Sequence, residues 1–434
     1  MKKIYEPKRS EWKGILSRPT QTIAAIEPVV ETVFQSVFNE GDKAVKDYTE
    51  KFDGISIDSS RVAEATLANA GNELSETLKD AIQKAYENIK KFHEAQKTGI
   101  VSVETSPGVT CWQEKKPIQK VGLYIPGGTA PLFSTILMLA VPAKIAGCQD
   151  IVLCSPPGKD GSLPAVVLYT AHLCGITQVF KVGGIQAIAA LTFGTETIPQ
   201  VHKIFGPGNQ FVTVAKQLAT KHGVAIDMPA GPSELLVMAD ETAVPQFVAS
   251  DLLSQAEHGI DSQVILVSTS KKVLEEVEKE VALQLKELPR KAIAEKAIEN
   301  SKLIYVASDR DAVDLINEYG PEHYILCVTE EAFYLENTLN AGSVFIGNYT
   351  PESAGDYASG TNHTLPTNGY AKQYSGVNLD SFLKSITFQK ISTEGILGLG
   401  SVIEAMASAE GLQAHKNAVT LRLNALKALA EEER

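Results

Sequence analysis

Short apolar segments alternate with helix-like segments through most of this chain, and that alternation restricts the fold more than any other sequence feature. The apolar segments are strand-like runs at residues 120–125, 151–154, 178–182, 201–205, 235–239, 264–268, 303–307, 324–328 and 343–346. Strands separated by helices favour parallel sheets that are covered by helices on both faces. The sequence therefore predicts an α/β fold.

The two ends of the chain and one internal stretch depart from this alternation. Residues 1–25 are mixed and polar and predict an arm, whereas residues 22–50 and 77–97 predict helices. Residues 348–376 are rich in Gly, Ser, Thr, Asn and Tyr without a period, which is typical of a functional loop. From residue 380 onward we expect mostly helix. With 434 residues in all, two or more domains are expected.

Charge and cysteine content restrict the partners and the compartment. The 40 Lys and Arg against 52 Asp and Glu give a net charge of −12, which repels phosphate backbones and predicts no nucleic-acid partner. Residues 1–7 lack the apolar core of a signal peptide, and the apolar run at 136–143 is too short to span a bilayer. Five scattered cysteines without a C-x-x-C pair fit a reducing compartment. We therefore expect a cytoplasmic protein without a membrane partner.

Three glycine turns share one design. Pro126-Gly127-Gly128, Gly183-Gly184 and Gly206-Pro207-Gly208-Asn209 each follow a predicted strand and precede a helix-like segment. Glycine lets backbone N–H groups approach a ligand, and a helix N-terminus favours an anion such as a phosphate. In a parallel sheet all three turns fall on one edge. Each alone is also explained by ordinary turn chemistry, but together they favour a nucleotide site.

Two polar pairs could carry chemistry in the second half of the chain. Gln255 and His258 share a face if residues 252–258 are helical, with Gly259 as the C-terminal stop. The alternative is a histidine that is favoured there by the helix dipole. Glu322-His323 immediately precedes the strand at 324–328, where both groups could handle protons. The alternative is a solvated pair in a loop.

Two further residues complete a possible ligand set. Asp356 is flanked by Gly355 and Gly360, which free the backbone to turn around an ion, although an Asx turn would have the same pattern. His415 follows Glu410-Gly411-Leu412 on a helix-like stretch, where a lone histidine is more often part of a core. With Gln255 and His258 these residues offer nitrogen and oxygen donors suited to Zn²⁺. Because these residues lie far apart in sequence, their spacing alone does not establish that they share one site.

Over essentially its whole length the chain resembles the histidinol dehydrogenase family. The matching stretches, in order, are GLYIPGG (122–128), FGPGN (205–209), AGPSE (230–234), SQAEHG (254–259), GPEH (320–323), AGDY (354–357) and EGL (410–412). The resemblance implies two incomplete Rossmann-like domains with parallel sheets, a small N-terminal arm and a helical C-terminal extension. The implied divisions are an arm at 1–24, a discontinuous domain of 25–118 and 236–377 with most metal and catalytic residues, an NAD-binding domain at 119–235, and a dimer-crossing extension at 378–434.

The resemblance also implies ligands and roles. Zinc, one ion per subunit, is expected on Gln255, His258, Asp356 and His415, and these residues also contact the substrate. Ser233, His323, His363 and Glu410 are expected to complete the substrate pocket. NAD is expected near Tyr124, Gln186 and Asn209. Glu410 and His415 are expected to serve the neighbouring subunit of a homodimer.

The implied reaction is the four-electron oxidation of L-histidinol to L-histidine with two NAD⁺, in the last steps of histidine biosynthesis. His323 is expected to act as the general base, and Glu322 is expected to activate water for attack on the aldehyde intermediate.

Three alternatives remain on the sequence alone. An enzyme of the aldehyde-dehydrogenase kind would use a thiol nucleophile, for which Cys148 and Cys154 are the candidates. A family relative could retain Glu322-His323 and zinc but oxidise another small alcohol. A zinc- or nucleotide-binding protein without catalysis would bind ligands and form no NADH.

Overall fold

The computed structural model describes residues 1–19, 23–127, 131–229 and 231–432. They form two compact units. The first unit is Met1–Gln96 with Ile118–Phe382, and the second is Lys97–Pro117 with Leu383–Arg434. Within the described residues, no helix combines the length and apolar composition needed to cross a membrane.

The strands, in chain order, are β1 (Lys2–Tyr5), β2 (Val101–Ser106), β3 (Val109–Pro117), β4 (Lys120–Tyr124), β5 (Asp150–Ser155), β6 (Gln178–Lys181), β7 (Lys203–Phe205), β8 (Ala225–Ile226), β9 (Glu234–Ala239), β10 (Gln263–Ser268), β11 (Lys302–Tyr305), β12 (His323–Cys327), β13 (Ser343–Ile346) and β14 (Leu383–Ile391). The helices are α1 (Arg9–Ile15), α2 (Ile23–Glu40), α3 (Asp42–Asp53), α4 (Glu64–Asn69), α5 (Glu76–Glu94), α6 (Ser134–Ala146), α7 (Ala165–Leu173), α8 (Gly184–Phe193), α9 (Gln210–Lys221), α10 (Pro245–Ala256), α11 (Lys271–Gln284), α12 (Lys291–Glu299), α13 (Asp309–Tyr319), α14 (Glu331–Asn337), α15 (Glu352–Tyr357), α16 (Thr393–Ala409) and α17 (Gln413–Glu432).

A six-stranded parallel sheet in the order β1-β11-β10-β9-β12-β13 forms one part of the first unit. Its central strand β9 is fully buried, because its side chains alternate between two helical layers. Leu235 and Val237 pack with residues of α10, α11 and α12. Leu236 and Met238 pack with residues of α1, α13 and α14. Burial on both faces explains the continuous apolar runs in the sequence.

A five-stranded parallel sheet in the order β6-β5-β4-β7-β8 forms the other part. One face packs against α5, α6 and α7 around Leu123 and Leu153. The other face packs against α2, α3, α8 and α9 around Val152 and Cys154. The two parallel sheets with helices on both faces confirm the predicted α/β class.

The predicted domain boundaries differ from this packing in several places. The helices within 25–118 contribute their apolar faces to the two cores of the five-stranded sheet. Their contact with residues 236–377 includes the hydrogen bonds that join Asn88 and His93 of α5 to Ala358 and Asn362, respectively. The arm at 1–24 contributes β1 to the six-stranded sheet. The boundary at 235/236 falls inside strand β9.

Residues 378–434 are mostly helical, as predicted, and form most of the second unit. That unit contains an antiparallel sheet in the order β14-β3-β2, where Trp112 stacks on Phe388 with ring centroids 5.2 Å apart. The unit also contains the hairpin of α16 and α17, where Gly400 faces Leu423 closely. Residues 101–117, which were predicted with a Rossmann-like domain, belong here because β3 pairs with β14.

Candidate active site

The carboxyl end of the five-stranded sheet and the amino end of the six-stranded sheet border one cavity. The cavity has a volume of about 280 Å³. Residues 206–209, which follow β7, line one side of it. Ser233 and Glu322, which immediately precede β9 and β12, line the other side together with His258. Segments that are distant in sequence therefore meet where the two sheets face each other.

The predicted glycine turns lie on the carboxyl edge of the five-stranded sheet. Gly206 has φ +126°, and any side chain there would collide with the backbone carbonyl of Tyr124. Gly184 has φ +61°, and its N–H donates to the Tyr124 hydroxyl at 3.1 Å. Gly128 lies outside the described residues. Glycine is thus required at this edge because neighbouring strand ends approach closely.

A second cavity of about 670 Å³ opens on this edge. Tyr124 and Asn209 line it, as do Asp53 and Lys159. Asn209 caps α9, accepting from the N–H of Val212 at 3.1 Å, so a helix N-terminus lies at the cavity. An anionic ligand is favoured by such a helix end together with a lysine.

Gln186 is fully buried behind this cavity. Its Nε2 donates to Asp53 Oδ2 at 3.4 Å. Its Oε1 has no hydrogen-bond partner among the described residues. A buried amide oxygen without a partner is costly, so the site retains capacity for a polar donor. All three residues predicted to contact NAD therefore lie at or behind one cavity.

Glu322 and His323 are held by the backbone of Glu234. The N–H of Glu234 donates to Glu322 Oε2 at 2.8 Å, and its carbonyl oxygen lies 3.2 Å from His323 Nδ1. Since a carbonyl can only accept, Nδ1 carries the proton of this hydrogen bond. His323 Nε2 lies 3.4 Å from Asp356 Oδ1 but makes no hydrogen bond within the part of the chain that is described. The catalytic pair predicted from sequence is thus buried and fixed, with one ring nitrogen left for a ligand.

Acidic neighbours set the charge of this imidazole. Burial alone lowers the pKa of His323, but Glu322, Glu352 and Asp356 together raise it well above its ordinary value. Burial raises the pKa of Glu352 well above its usual range, although the positive charge of His323 acts in the opposite direction. Burial also opposes ionisation of Asp356, but His323 outweighs it and lowers the pKa of that carboxyl. Three carboxyl groups around one imidazole therefore disfavour full ionisation of the cluster, and a bound cation would favour their charged forms.

A possible metal centre lies beside this pair. His258, Glu352 and Asp356 each offer a ligand atom, and these atoms lie within 4.8 Å of one another. Nitrogen and oxygen donors without thiolate suit Zn²⁺ or a similar divalent ion. The structure therefore brings two of the predicted ligands together and adds Glu352, which the sequence analysis missed.

Gln255 and His258 do not share a helix face as predicted. Helix α10 ends at Ala256 with Glu257 as its C-cap, so His258 lies beyond the helix and is exposed. Gln255 is buried at the helix end. Its amide satisfies both neighbours when its nitrogen donates to Glu352 and its oxygen accepts from the N–H of Glu234 at 3.3 Å. Both residues nevertheless reach the small cavity that His323 and Asp356 line.

Ser233 and His363 also line this cavity. His363 Nδ1 lies 2.8 Å from the backbone oxygen of Asp356, and its Nε2 lies 3.1 Å from Thr135 Oγ1. These contacts tie the loop after α15 to the first turn of α6. Thr135 is thus a site residue that sequence reasoning did not identify.

Glu410 and His415 belong to the second unit. Glu410 is the C-cap of α16, and His415 lies in the first turn of α17. Both side chains are exposed. Their contribution to a site in a partner subunit stays a prediction.

The thiol alternative receives no support from the two candidate cysteines. Cys148 and Cys154 are buried, and burial raises the pKa of each thiol to about 12. At neutral pH such a group is almost entirely protonated, whereas the thiolate is the nucleophile.

Comparisons with known proteins give the same family over nearly the full length of this chain. A sequence model of the histidinol dehydrogenase family matches residues 16–423. The histidinol dehydrogenase of Bacteroides thetaiotaomicron is 56% identical over 427 residues, which cover 98% of this chain and 100% of the relative. That of Bacteroides fragilis is 55% identical over 427 residues with the same coverage, 98% and 100%. The crystal structure of histidinol dehydrogenase from Elizabethkingia anophelis superposes with a TM-score of 0.96 at 54% identity, covering 98% of this chain and 99% of that chain.

Proposed function

Because the chain belongs to the histidinol dehydrogenase family, we propose that it oxidises L-histidinol to L-histidine through histidinal. The proposed reaction is zinc-dependent, removes four electrons and reduces two NAD⁺, in the last steps of histidine biosynthesis. We further propose that the enzyme is a cytoplasmic homodimer.

One observation carries this proposal. The buried Glu322–His323 pair lies beside His258, Glu352 and Asp356, at a cavity that the nucleotide-type turns also line. Pro126 and Asn209 line both this cavity and the larger one at the strand ends. A proton-transfer pair, a donor set for a divalent ion and a possible dinucleotide cavity are therefore neighbours. A binding protein without catalysis would need no such pair.

The residues present fit a zinc ion. We propose Gln255, His258 and Asp356 as ligands, with His415 supplied by a second copy of the chain. The neighbouring donor atoms of His258 and Asp356 support this assignment, since nitrogen and oxygen donors at this spacing suit a divalent ion. Glu352 contacts the amide nitrogen of Gln255 and would fix the orientation of that amide.

The larger cavity suits NAD. We propose that Tyr124, Gln186 and Asn209 contact the dinucleotide, and the helix N-terminus at Asn209 supports a position for a phosphate group there. When bound, NAD⁺ accepts hydride and zinc orients the imidazole and amine of the substrate.

His323 is suited to general-base catalysis at its Nε2 atom. The Nδ1–H bond to the Glu234 carbonyl fixes the tautomer, so the neutral ring has its lone pair on Nε2. The surrounding carboxyl groups raise the pKa of His323 and favour its protonated form, and a divalent cation bound beside them would offset that effect and favour the neutral ring. In the proposed reaction Nε2 accepts the proton of the substrate hydroxyl. Positioned proton transfer of this kind typically contributes about 10²- to 10⁴-fold in rate.

Glu322 is suited to the second oxidation, which consumes water. Its carboxylate accepts a hydrogen bond from the N–H of Glu234 and is 7% exposed at the cavity wall. We propose that it takes a proton from the water that attacks the aldehyde, and that His323 then acts again on the hydrate. Ser233, His363 and Glu410 complete the proposed substrate pocket.

The stoichiometry of NADH per histidinol tests the proposal. We expect two NADH per histidinol consumed, loss of activity with a chelator, and recovery with Zn²⁺. Histidinol binding should compete with imidazole-bearing analogues and not with simple diols.

One histidine variant tests the zinc assignment, and a second serves as its control. His258→Ala should lose zinc and activity together, whereas His172→Ala, which changes an exposed histidine on α7, should retain both. One NADH per substrate, full activity in the chelator, or no NADH from histidinol would each contradict the proposal.

A further inference from the structure

The two candidate catalytic residues are attached to a single backbone position. Glu234 donates its N–H to the carboxylate of Glu322 at 2.8 Å and accepts from His323 Nδ1 at 3.2 Å. Glu234 is the first residue of β9, and His323 pairs in register with the next residue, Leu235. Whatever holds Glu234 therefore sets the positions of both groups.

The side chain of Glu234 is held by an arginine from the N-terminal arm. Arg18 donates from Nε to Glu234 Oε1 at 2.6 Å and from Nη2 to Oε2 at 2.9 Å. The backbone N–H of Asn368 donates to Oε1 at 2.6 Å. The Glu234 side chain is 2% exposed and that of Arg18 is 14% exposed. This two-pronged geometry is specific to a guanidinium and is more rigid than a lysine contact.

Arg18 also contacts the segment that leads to Glu322. Its Nη2 donates to the backbone oxygen of Tyr319 at 2.8 Å, and its guanidinium lies 3.9 Å from the centre of the Tyr319 ring. Tyr319 is the last residue of α13, and Gly320 and Pro321 connect it to Glu322. One side chain therefore links the start of β9 to the loop that enters β12.

We propose that Arg18 is a positioning residue for catalysis: through Glu234 and Tyr319 it fixes the distance between Glu322 and His323 and the orientation of the His323 ring. This inference rests on the proposed function. Arg18 acts through Glu234 and the backbone, without transferring a proton itself. Misplacement of a catalytic group by about 1 Å can cost on the order of 10²-fold in rate.

Variants at Arg18 test this role. Arg18→Met should lower kcat by about 10- to 100-fold, which is the usual effect of losing a residue that orients a functional group. The KM for histidinol and the zinc content should stay within about twofold of the parent values. Arg18→Lys keeps the charge but loses the fork, so its kcat should lie between those of Arg18→Met and the parent.

Arg9→Gln is the matched control. Arg9 lies in the same N-terminal segment and also pairs with a carboxylate, that of Asp314, but its side chain is 64% exposed. We expect it to keep the kcat of the parent enzyme. An Arg18→Met enzyme with unchanged kcat, or one in which kcat falls only in proportion to its zinc content, would refute the inference.

A double variant separates positioning from folding. Arg18→Met leaves the buried Glu234 carboxylate without its cation, which itself destabilises the fold. Arg18→Met/Glu234→Gln removes both charges, so it should fold and bind zinc as the parent does while kcat stays low. A double variant that regains the parent kcat, or one that still fails to fold, would assign Arg18 a structural role alone.

A spectroscopic measurement is independent of the substrate. In the zinc-loaded enzyme without histidinol, the His323 Nδ1–H signal, assigned by its loss in His323→Asn, should exchange with solvent faster in Arg18→Met than in Arg9→Gln. If the parent enzyme formed no NADH from histidinol, the proposed function would fail while this measurement still decided the positioning role. Equal exchange in the two variants would overturn that role.

Discussion

Replacing Lys216 by methionine breaks a buried ion pair beneath the turn between the two cavities. The ammonium group of Lys216 pairs with the carboxylate of Asp227, and these side chains are 3% and 1% exposed. Lys216 also donates to the carbonyl oxygen of Gly206 at 2.7 Å, while Asp227 accepts from the N–H of Gly206 at 2.8 Å. The pair therefore holds both polar groups of the residue that begins the Gly206–Asn209 turn.

The size of the effect follows from burial. Methionine fills the space of the lysine stem but leaves the Asp227 carboxylate without a cation and the Gly206 carbonyl without its donor. Removing one partner of a buried ion pair costs about 3–5 kcal/mol. We expect Lys216→Met to lower the free energy of unfolding by that amount, a large part of the about 5–15 kcal/mol typical of native proteins. Since the Gly206–Asn209 turn lines both cavities, KM for NAD⁺ should rise as well.

Urea unfolding followed by circular dichroism measures this change. Lys221→Met is the matched control, because Lys221 lies on the same helix and pairs with Glu27, but its side chain is 62% exposed. An exposed pair contributes about 0–1 kcal/mol, so this variant should unfold close to the parent. Lys216→Met/Asp227→Asn should recover part of the loss, because it removes the orphaned charge and keeps an acceptor for Gly206.

Two results would refute this reasoning. One is a Lys216→Met protein that unfolds at the same urea concentration as Lys221→Met. The other is a double variant less stable than Lys216→Met, because the uncompensated Asp227 charge would then not be the cause of the loss.

Three further changes give distinct readouts. His323→Asn should lower kcat by about 10²-fold or more while zinc stays bound, and a parent-like kcat would exclude its general-base role. Glu322→Gln should slow the conversion of histidinal to histidine more than that of histidinol to histidinal, in separate assays of the two oxidations; equal slowing would contradict its assignment to water. Burial raises the pKa of Asp251 to about 7. Between about pH 4 and 7 the folded state therefore keeps a proton that the unfolded state has released, and the free energy of unfolding falls as the pH rises through that range. Asp251→Asn should therefore be more stable than the parent above pH 7, by up to about 4 kcal/mol at about 1.4 kcal/mol per pKa unit, and the gain should vanish near pH 4; a gain independent of pH in urea unfolding would exclude this cause.

The strands that could be predicted from sequence are those buried on both faces. Strands such as β5, β9 and β10 consist of consecutive buried apolar residues and stand out against their surroundings. In contrast, β2 is almost entirely exposed and β14 is mostly exposed, so neither has an apolar run. The pairing of β3 with β14 joins segments far apart in sequence, and single-sequence patterns contain no information about such contacts.

Site residues were predictable where residue type and family resemblance agreed, as for Glu322, His323 and Asp356. Glu352 was missed because α15 has six residues, too few to show a helical period within a Gly- and Ser-rich stretch. Arg18 was missed because it lies in a polar arm, and its partner Glu234 is a charged residue at the start of an apolar strand. Both became recognisable only from buried contacts between distant segments.

Helix α15, which carries Glu352 and Asp356, is unfavourable by its own sequence. Glu352 and Asp356 are four residues apart on one helical face, where two ionised carboxylates would oppose helix formation. Packing must therefore maintain this short helix, and Gly355 contributes by allowing the Phe345 ring to approach its backbone closely. A chain selected for stability alone would not bury two carboxyl groups beside Glu322. Their persistence is explained if the native state binds a cation there, because a ligand that binds only the folded form stabilises it.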